Sequence, residues 1–260
     1  MLNISNNIKK TLQQFVYIAS LMFFSAAVNA APLTVAVAAN VKYAFDDLAV
    51  EFKKDTGIEV QGVFSSSGKI ATQVKNGAPF DVFISADTEF PEALYKDGLA
   101  ATQPRIYAYG VLVLWTTKDF DLSKGLTLLT DAKVQKIAIA NPKAAPYGRA
   151  AMQALAGGKL NAAVEPKLVY GESITQATQF IDSGAADIGF IAKSIVLAPE
   201  MAGKGKWVEV PKGSYDPIAQ AVVVLKHGAQ TQSGSANKFV DFLFTPKARA
   251  IFEKYGYVLP

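Results

Sequence analysis

The stretch "LTVAVAANVKYAFDDLAVEF" (Leu33–Phe52) sets the architecture. Its first seven residues, Leu33–Ala39, form a run of β type with no alternating polar positions. A strand with one wet face alternates, whereas a parallel strand buried on both faces reads as a continuous apolar run. From Val41 the period changes: Val41, Phe45, Leu48 and Phe52 recur at the spacing of one apolar helix face. Gly57 stands where such a helix should stop.

Outward from this unit the pattern repeats. "IEVQGVF" (Ile58–Phe64) reads as a second strand, Lys69–Lys75 as a second helix ended by Asn76-Gly77, and "FDVFISA" (Phe80–Ala86) as a third strand. This β-α-β-α-β order predicts a parallel sheet with helices on both faces. "IYAYGVLVLWTT" (Ile106–Thr117) then reads as one long strand. A second β/α set follows: "KIAIANP" (Lys136–Pro142), a helix after Pro146, "PKLVYG" (Pro166–Gly171), a helix through Ile174, Ala177, Phe180 and Ile181, and "DIGFIA" (Asp187–Ala192). "PIAQAVVVLK" (Pro217–Lys226) is a second long strand, and Phe239, Phe242, Leu243, Ala248, Ile251 and Phe252 mark helices at the C-terminus. The economical reading is an α/β protein of two lobes, each a mostly parallel sheet flanked by helices, joined by two crossover strands. Residues 31–107 and 222–260 form the first lobe and 108–221 the second.

The first 30 residues stand apart. Lys9 and Lys10 precede an apolar run from about Phe15 to Val28, and Val28-Asn29-Ala30 ends in small residues. This is the order of a cleaved secretory signal, with the cut expected after Ala30. The run is too short to favour a membrane-spanning helix. Setting aside Lys9 and Lys10 lowers the formal charge from +4 to +2, too weak a surplus to argue for nucleic acid or a membrane surface. With no cysteine there is no disulfide framework, no thiolate metal site and no lipid attachment after the signal, which points to a periplasm. His227 is the single histidine, so no multi-histidine metal site can form.

Three chemistries compete for "GVFSSSGKI" (Gly62–Ile70). A phosphate loop needs four residues between its glycine and Gly-Lys, then Ser or Thr; here five intervene and Ile70 follows Lys69. An acyl-enzyme reading pairs Ser66 with Lys69, but Ser235-Ala236-Asn237 and Lys226-His227-Gly228 come in the wrong order for it. The third reading is a polar cradle. Ser65–Ser67 lie between a strand end and a helix start, where free N–H groups and the helix dipole favour an anion; an N-cap would account for one serine but not three. Asn40 occupies the same kind of place after the first strand, and both strand ends lie on the carboxyl edge where open α/β sheets bind ligands. The second lobe repeats the arrangement, with Pro146-Tyr147-Gly148 at one helix start and Glu172-Ser173-Ile174 at another. Glu172 and Ser173 are ordinary first-turn residues, Lys69 and Arg149 are charges near these loops, and Asp81 and Asp87 read as turn or hinge residues. Phe190 and "VLVLW" read as core.

"LTVAVAAN", "FSSSGKIATQVKNGAPFDVFISAD", "NPKAAPYGRAAMQAL", "GESITQATQFIDSGAADIGFIA" and the terminal "IFEKYGY", in that order, resemble the periplasmic molybdate-binding proteins of ABC transporters. The resemblance runs over nearly all of residues 31–260 and implies two α/β lobes closing on a tetrahedral oxyanion held by neutral donors. Carried over by position, it implies donors at Ala39, Asn40 and Ser67 from the first lobe, and at Tyr147 and the backbone N–H of Ile174 from the second. Some members have a hydroxyl residue where Ala39 or Asn40 stands, so Ala39 offers only its backbone. Others have a tyrosine where Ala192 stands; Tyr147 is the phenol this chain offers instead, from a different loop. The metal enters only inside molybdate or tungstate, with no direct metal ligand and no cofactor. The implied partners are an ABC permease and its ATPase subunit, the protein acts as a monomer, and it is not an enzyme. A site for another oxyanion such as sulfate, and the Ser-x-x-Lys hydrolase, are the alternatives.

Overall fold

A computed structural model describes residues 31–260; the secretory-signal reading of residues 1–30 lies outside them. Two five-stranded sheets organise the chain. The first has the order β2-β1-β3-β10-β4, from β1 (Leu33–Ala38), β2 (Val60–Ser65), β3 (Val82–Ile84), β4 (Arg105–Gly110) and β10 (Ile218–Val224). The second has the order β7-β6-β8-β5-β9, from β5 (Leu112–Thr116), β6 (Ile137–Ala140), β7 (Leu168–Gly171), β8 (Ile188–Ala192) and β9 (Lys206–Glu209). β1 pairs in parallel with β2 and β3, and β6 with β7 and β8. One strand per sheet is reversed: β10 runs antiparallel to β3 and β4, and β5 antiparallel to β8 and β9. These are the strands that enter a sheet from the other lobe, so they run away from the seam that the remaining strands run towards.

The central strands of the first sheet are buried on both faces, as their continuous apolar runs require. Val35 and Val37 of β1, Val82 and Ile84 of β3, and Val222 and Val224 of β10 join one apolar cluster, while Ala36, Phe83 and Val223 join another. That is the period-2 alternation of a strand whose two faces are both covered. Helix α1 (Lys42–Thr56) covers the first face with Phe45, Leu48 and Phe52, against Phe239 and Phe242 of α8 (Ser233–Phe242). The Phe52 and Phe239 rings meet edge to face, with centroids 5.0 Å apart. Helix α2 (Ser67–Lys75) covers the other face with Ile70, Ala71 and Val74, beside Leu94 of α3 (Glu89–Lys96). Helix α1 stops at Gly57, whose φ of 71° is left-handed and costs a glycine nothing.

The second sheet carries α4 (Pro146–Gly157) and α5 (Ile174–Asp182), with the one-turn α6 (Lys193–Val196) after β8. Helix α7 (Lys226–Thr231) follows β10, and α9 (Pro246–Lys254) returns the C-terminus to the first lobe, where Phe252 packs on Tyr107 at 5.1 Å. Phe190 and residues 111–115 are core residues, as their pattern predicts.

Two details depart from the sequence reading. The run Ile106–Thr117 is two strands in two sheets, because the ladder breaks at Val111: its carbonyl accepts from Lys193 N–H at 2.9 Å, and Leu112 N–H donates to the Tyr215 hydroxyl at 3.1 Å. The chain therefore passes between sheets at Val111 and returns between Glu209 and Ile218. Boundaries drawn at 107/108 and 221/222 fall inside β4 and β10. Helix α3 and strand β9 go beyond the elements read from the pattern. Pro91 sits in the first turn of α3, where its missing N–H breaks no intrahelical bond.

Candidate functional site

The parallel strands of both sheets end at one seam, and a small uncharged cavity lies there. Its walls are Ala38, Ala39 and Asn40 at the end of β1 and just after it, Ser66 and Ser67 at the start of α2, and Ala86 after β3. Ala145, Pro146 and Tyr147 at the start of α4 and Ile174 at the start of α5 complete it. The centre of a water-sized sphere has only about 10 Å³ in which to move, so the space suits one compact group and no organic ligand of drug size. The five residues expected to meet a ligand, Ala39, Asn40, Ser67, Tyr147 and Ile174, all border this cavity. None of its walls is a charged residue.

Local chemistry fixes which protons are free. Ser67 Oγ accepts the Ala86 N–H at 3.0 Å, so one lone pair is engaged and its own proton remains to be donated. Tyr147 is in the same condition: its hydroxyl accepts from Gln220 Nε2 at 3.1 Å and keeps its O–H for another acceptor. Burial, with a smaller contribution from Tyr257, pushes the Tyr147 phenol well above its ordinary range, so it stays a protonated donor at neutral pH. Ile174 is the first residue of α5, where backbone N–H groups have no intrahelical acceptor. Ser173 is an ordinary N-cap there, its Oγ accepting from Gln176 N–H at 3.3 Å.

Asn40 differs. Both of its side-chain N–H bonds are spent, on Gln220 Oε1 at 3.0 Å and on the Tyr257 hydroxyl at 3.1 Å. Its backbone carbonyl accepts from the Ser194 hydroxyl at 2.8 Å and the Tyr257 hydroxyl at 2.9 Å. What Asn40 retains for the cavity is its backbone N–H, like Ala39.

The organiser of this network is Gln220, fully buried on β10, and the sequence reading did not single it out. Its Oε1 accepts from Asn40 and from the Tyr107 hydroxyl at 2.8 Å, and its Nε2 serves Tyr147. One carboxamide thus ties β4, α4 and the turn after β1 together across the seam. Gly110 makes room for it: a Cβ there would lie 2.2 Å from the Tyr147 hydroxyl and 2.4 Å from Gln220 Nε2. The signal available in sequence was a single amide inside the apolar run "IAQAVVV".

The nearby charges are committed elsewhere. Lys69 Nζ pairs with Glu172 at 3.1 Å, and Arg149 pairs with Asp87 and with Glu89, the latter at 3.3 Å. Burial lifts the Asp87 carboxyl above its usual range, while the Ser85 hydroxyl and Arg149 pull it back. With Lys69 turned to Glu172 and Ser66 Oγ touching no base, the pairing a Ser-x-x-Lys hydrolase needs is not formed. Asp81 ties β1 to α7, accepting from Thr34 N–H at 2.8 Å and meeting His227 Nδ1 at 3.0 Å.

Two α/β lobes with a small all-neutral cavity at the shared carboxyl edge define a two-lobed periplasmic-type solute-binding protein. The family model for bacterial extracellular solute-binding proteins matches residues 33–258, and the chain belongs to that family. The molybdate-binding protein ModA of Azotobacter vinelandii is 42% identical over 90% of this chain and 92% of its own length. ModA of Rhodobacter capsulatus is 42% identical over 86% of each. The solved periplasmic molybdate-binding protein of A. vinelandii superposes with a TM-score of 0.81 at 36% identity, covering 88% of this chain and 99% of that one.

Proposed function

We propose that this protein captures molybdate, or tungstate, in the cavity between its lobes and delivers it to an ABC permease with an ATPase subunit. The observation that carries the reading is the donor set: Ser67 and Tyr147 each hold one bond that fixes the hydroxyl and keep one proton free, beside unspent backbone N–H groups. A tetrahedral dianion accepts hydrogen bonds at every oxygen. Neutral donors compensate its lost hydration without burying cations that would themselves need pairing. Phosphate carries a proton near neutral pH, which a cage of donors leaves unpaired. Sulfate, a smaller ion, fills the same donor set poorly. The chain-long similarity to molybdate-binding proteins supports the same ligand.

Ala39, Asn40 and Ser67 supply the first lobe's contacts, Tyr147 and Ile174 the second's. A ligand that engages both lobes only when they are closed shifts the population towards the closed form. The protein is exported by residues 1–30, matures at Ala31 and works as a periplasmic monomer without a cofactor. Its lobes exchange chain at Val111 and between Glu209 and Ile218. Calorimetric titration of purified protein with molybdate, tungstate, sulfate and phosphate tests the reading. Tight binding of the first two alone is expected; tight sulfate binding with none of molybdate would refute it.

A further inference from the structure

Ser66 is the cavity residue with no structural work to do. It is 4% exposed and borders the cavity beside Ser67. It holds the N-cap position of α2 with an extended backbone, the place where a serine normally accepts a first-turn N–H, yet its side chain makes no such bond. Among the described residues two buried side-chain atoms have no hydrogen-bond partner, Ser66 Oγ and Gln73 Oε1, and Gln73 does not line the cavity. A buried hydroxyl without a partner is costly, and native structures keep one where a ligand completes it. Every other polar side chain of the cavity has a protein partner: Ser67 has Ala86 N–H, Tyr147 has Gln220, and Asn40 has Gln220 and Tyr257.

We infer that the Ser66 hydroxyl is a further donor to the bound oxyanion, making two consecutive serine side chains at the start of α2 part of the site. The inference rests on the oxyanion reading of this cavity. The two serines divide the labour. Ser67 is held in place by the fold whether or not an ion is present. Ser66 acquires its partner only from the ion, so its bond counts wholly towards affinity and not towards the stability of the empty protein.

The test is a titration of wild type, Ser66→Ala and Ser66→Gly with molybdate, tungstate, sulfate and phosphate, together with denaturant melts of each protein without ligand. Glycine is included because it replaces serine at an N-cap with little loss of helix stability. Loss of one hydrogen bond to a charged acceptor should weaken binding of whichever anion the wild type takes by about ten- to a hundredfold in both variants. The ligand-free melts should match wild type or move to higher denaturant. If wild type binds molybdate and both variants bind it equally well, the inference is overturned while the oxyanion reading stands. A Ser66→Ala variant that melts earlier but keeps its affinity makes Ser66 a helix cap and also overturns it. If wild type binds none of the four anions, both readings fall together.

Discussion

Gln220→Glu isolates the network that aims Tyr147. The two side chains have nearly the same shape, and a carboxylate keeps the acceptor that serves Asn40 and Tyr107. What changes is the other end. In place of an N–H donor to the Tyr147 hydroxyl there is a second acceptor, so the tyrosine O–H turns towards the introduced carboxylate and is withdrawn from the cavity. One hydrogen bond to a charged ligand is worth about 1.5–3 kcal/mol, so affinity should fall about ten- to a hundredfold, and the added negative charge beside an anion deepens the loss. The defect depends on pH with a definite sign. Burial and the neighbouring anion raise the new carboxyl's pKa. Its neutral form carries a proton again and can donate to Tyr147 as Nε2 did. The loss is therefore complete at high pH and shrinks as pH falls through the raised pKa. The stability of the empty variant follows the same direction, because a carboxyl with a folded pKa above its unfolded value destabilises as pH rises through that interval. Isothermal titration with molybdate at several pH values between about 6 and 8, with melts of the empty protein, measures both. A folded variant that binds like wild type at the upper end would refute the assignment of Tyr147 as a donor held by Gln220.

Ser67→Ala should cost affinity about ten- to a hundredfold, and it should also destabilise the empty protein by about 1–3 kcal/mol because the buried Ala86 N–H loses its acceptor; titration and urea melts on the same sample would expose a failure of either half. Gly110→Ala places a methyl against the Tyr147 hydroxyl and Gln220 Nε2, so it should weaken binding at least as much as Gln220→Glu but without that variant's pH dependence, again read by calorimetry. Arg149→Gln together with Lys69→Gln should change molybdate affinity less than about tenfold at moderate salt and abolish part of its salt dependence, because both side chains pair at the edge of the cleft rather than in it; a larger loss that salt does not alter would place one of them on the ligand.

The helix starts after the parallel strands were legible from sequence because there a continuous apolar run gives way to the 3.6-residue spacing of a helix face. That reading placed Asn40, Ser67, Tyr147 and Ile174 at helix starts; their roles as donors, with Ala39, came from the family resemblance, and the structure gathers all five at one cavity. What was not legible depends on partners far along the chain. Ser66 and Ser67 are neighbours with the same side chain. They differ only because Ala86, 19 residues on, presents its N–H to one of them. Gln220 reaches Asn40 across 180 residues and Tyr147 across 73, and no local pattern carries that information. The break at Val111 was hidden for a related reason: both halves of Ile106–Thr117 have strand character, and only the Lys193 and Tyr215 bonds divide them.

The same contacts decide what drives closure. Besides Ser194 Oγ to the Asn40 carbonyl and Gln220 to Tyr147, contacts between the lobes include Lys69–Glu172, Arg149 with Asp87 and Glu89, and Gly68 N–H to the Ala144 carbonyl at 2.9 Å. Lys69 and Glu172 have side chains 55% and 75% exposed, and a pair that wet is worth about 0–1 kcal/mol. Arg149 and Asp87 are drier, but desolvation of Asp87 offsets what their attraction gains. The backbone bond replaces water on both partners and nets about 0.5–1.5 kcal/mol. Each of these three contacts is small by itself. Moving an equilibrium from mostly open to mostly closed takes about 5.5 kcal/mol of differential binding. Two or three charge-assisted bonds made only in the closed state, at about 1.5–3 kcal/mol each, are of that size. On the proposed reading, Tyr147 and Ile174 come from one lobe and Ser66 and Ser67 from the other, so an ion in the cavity would complete those bonds only when both lobes reach it, and its own affinity would close the protein.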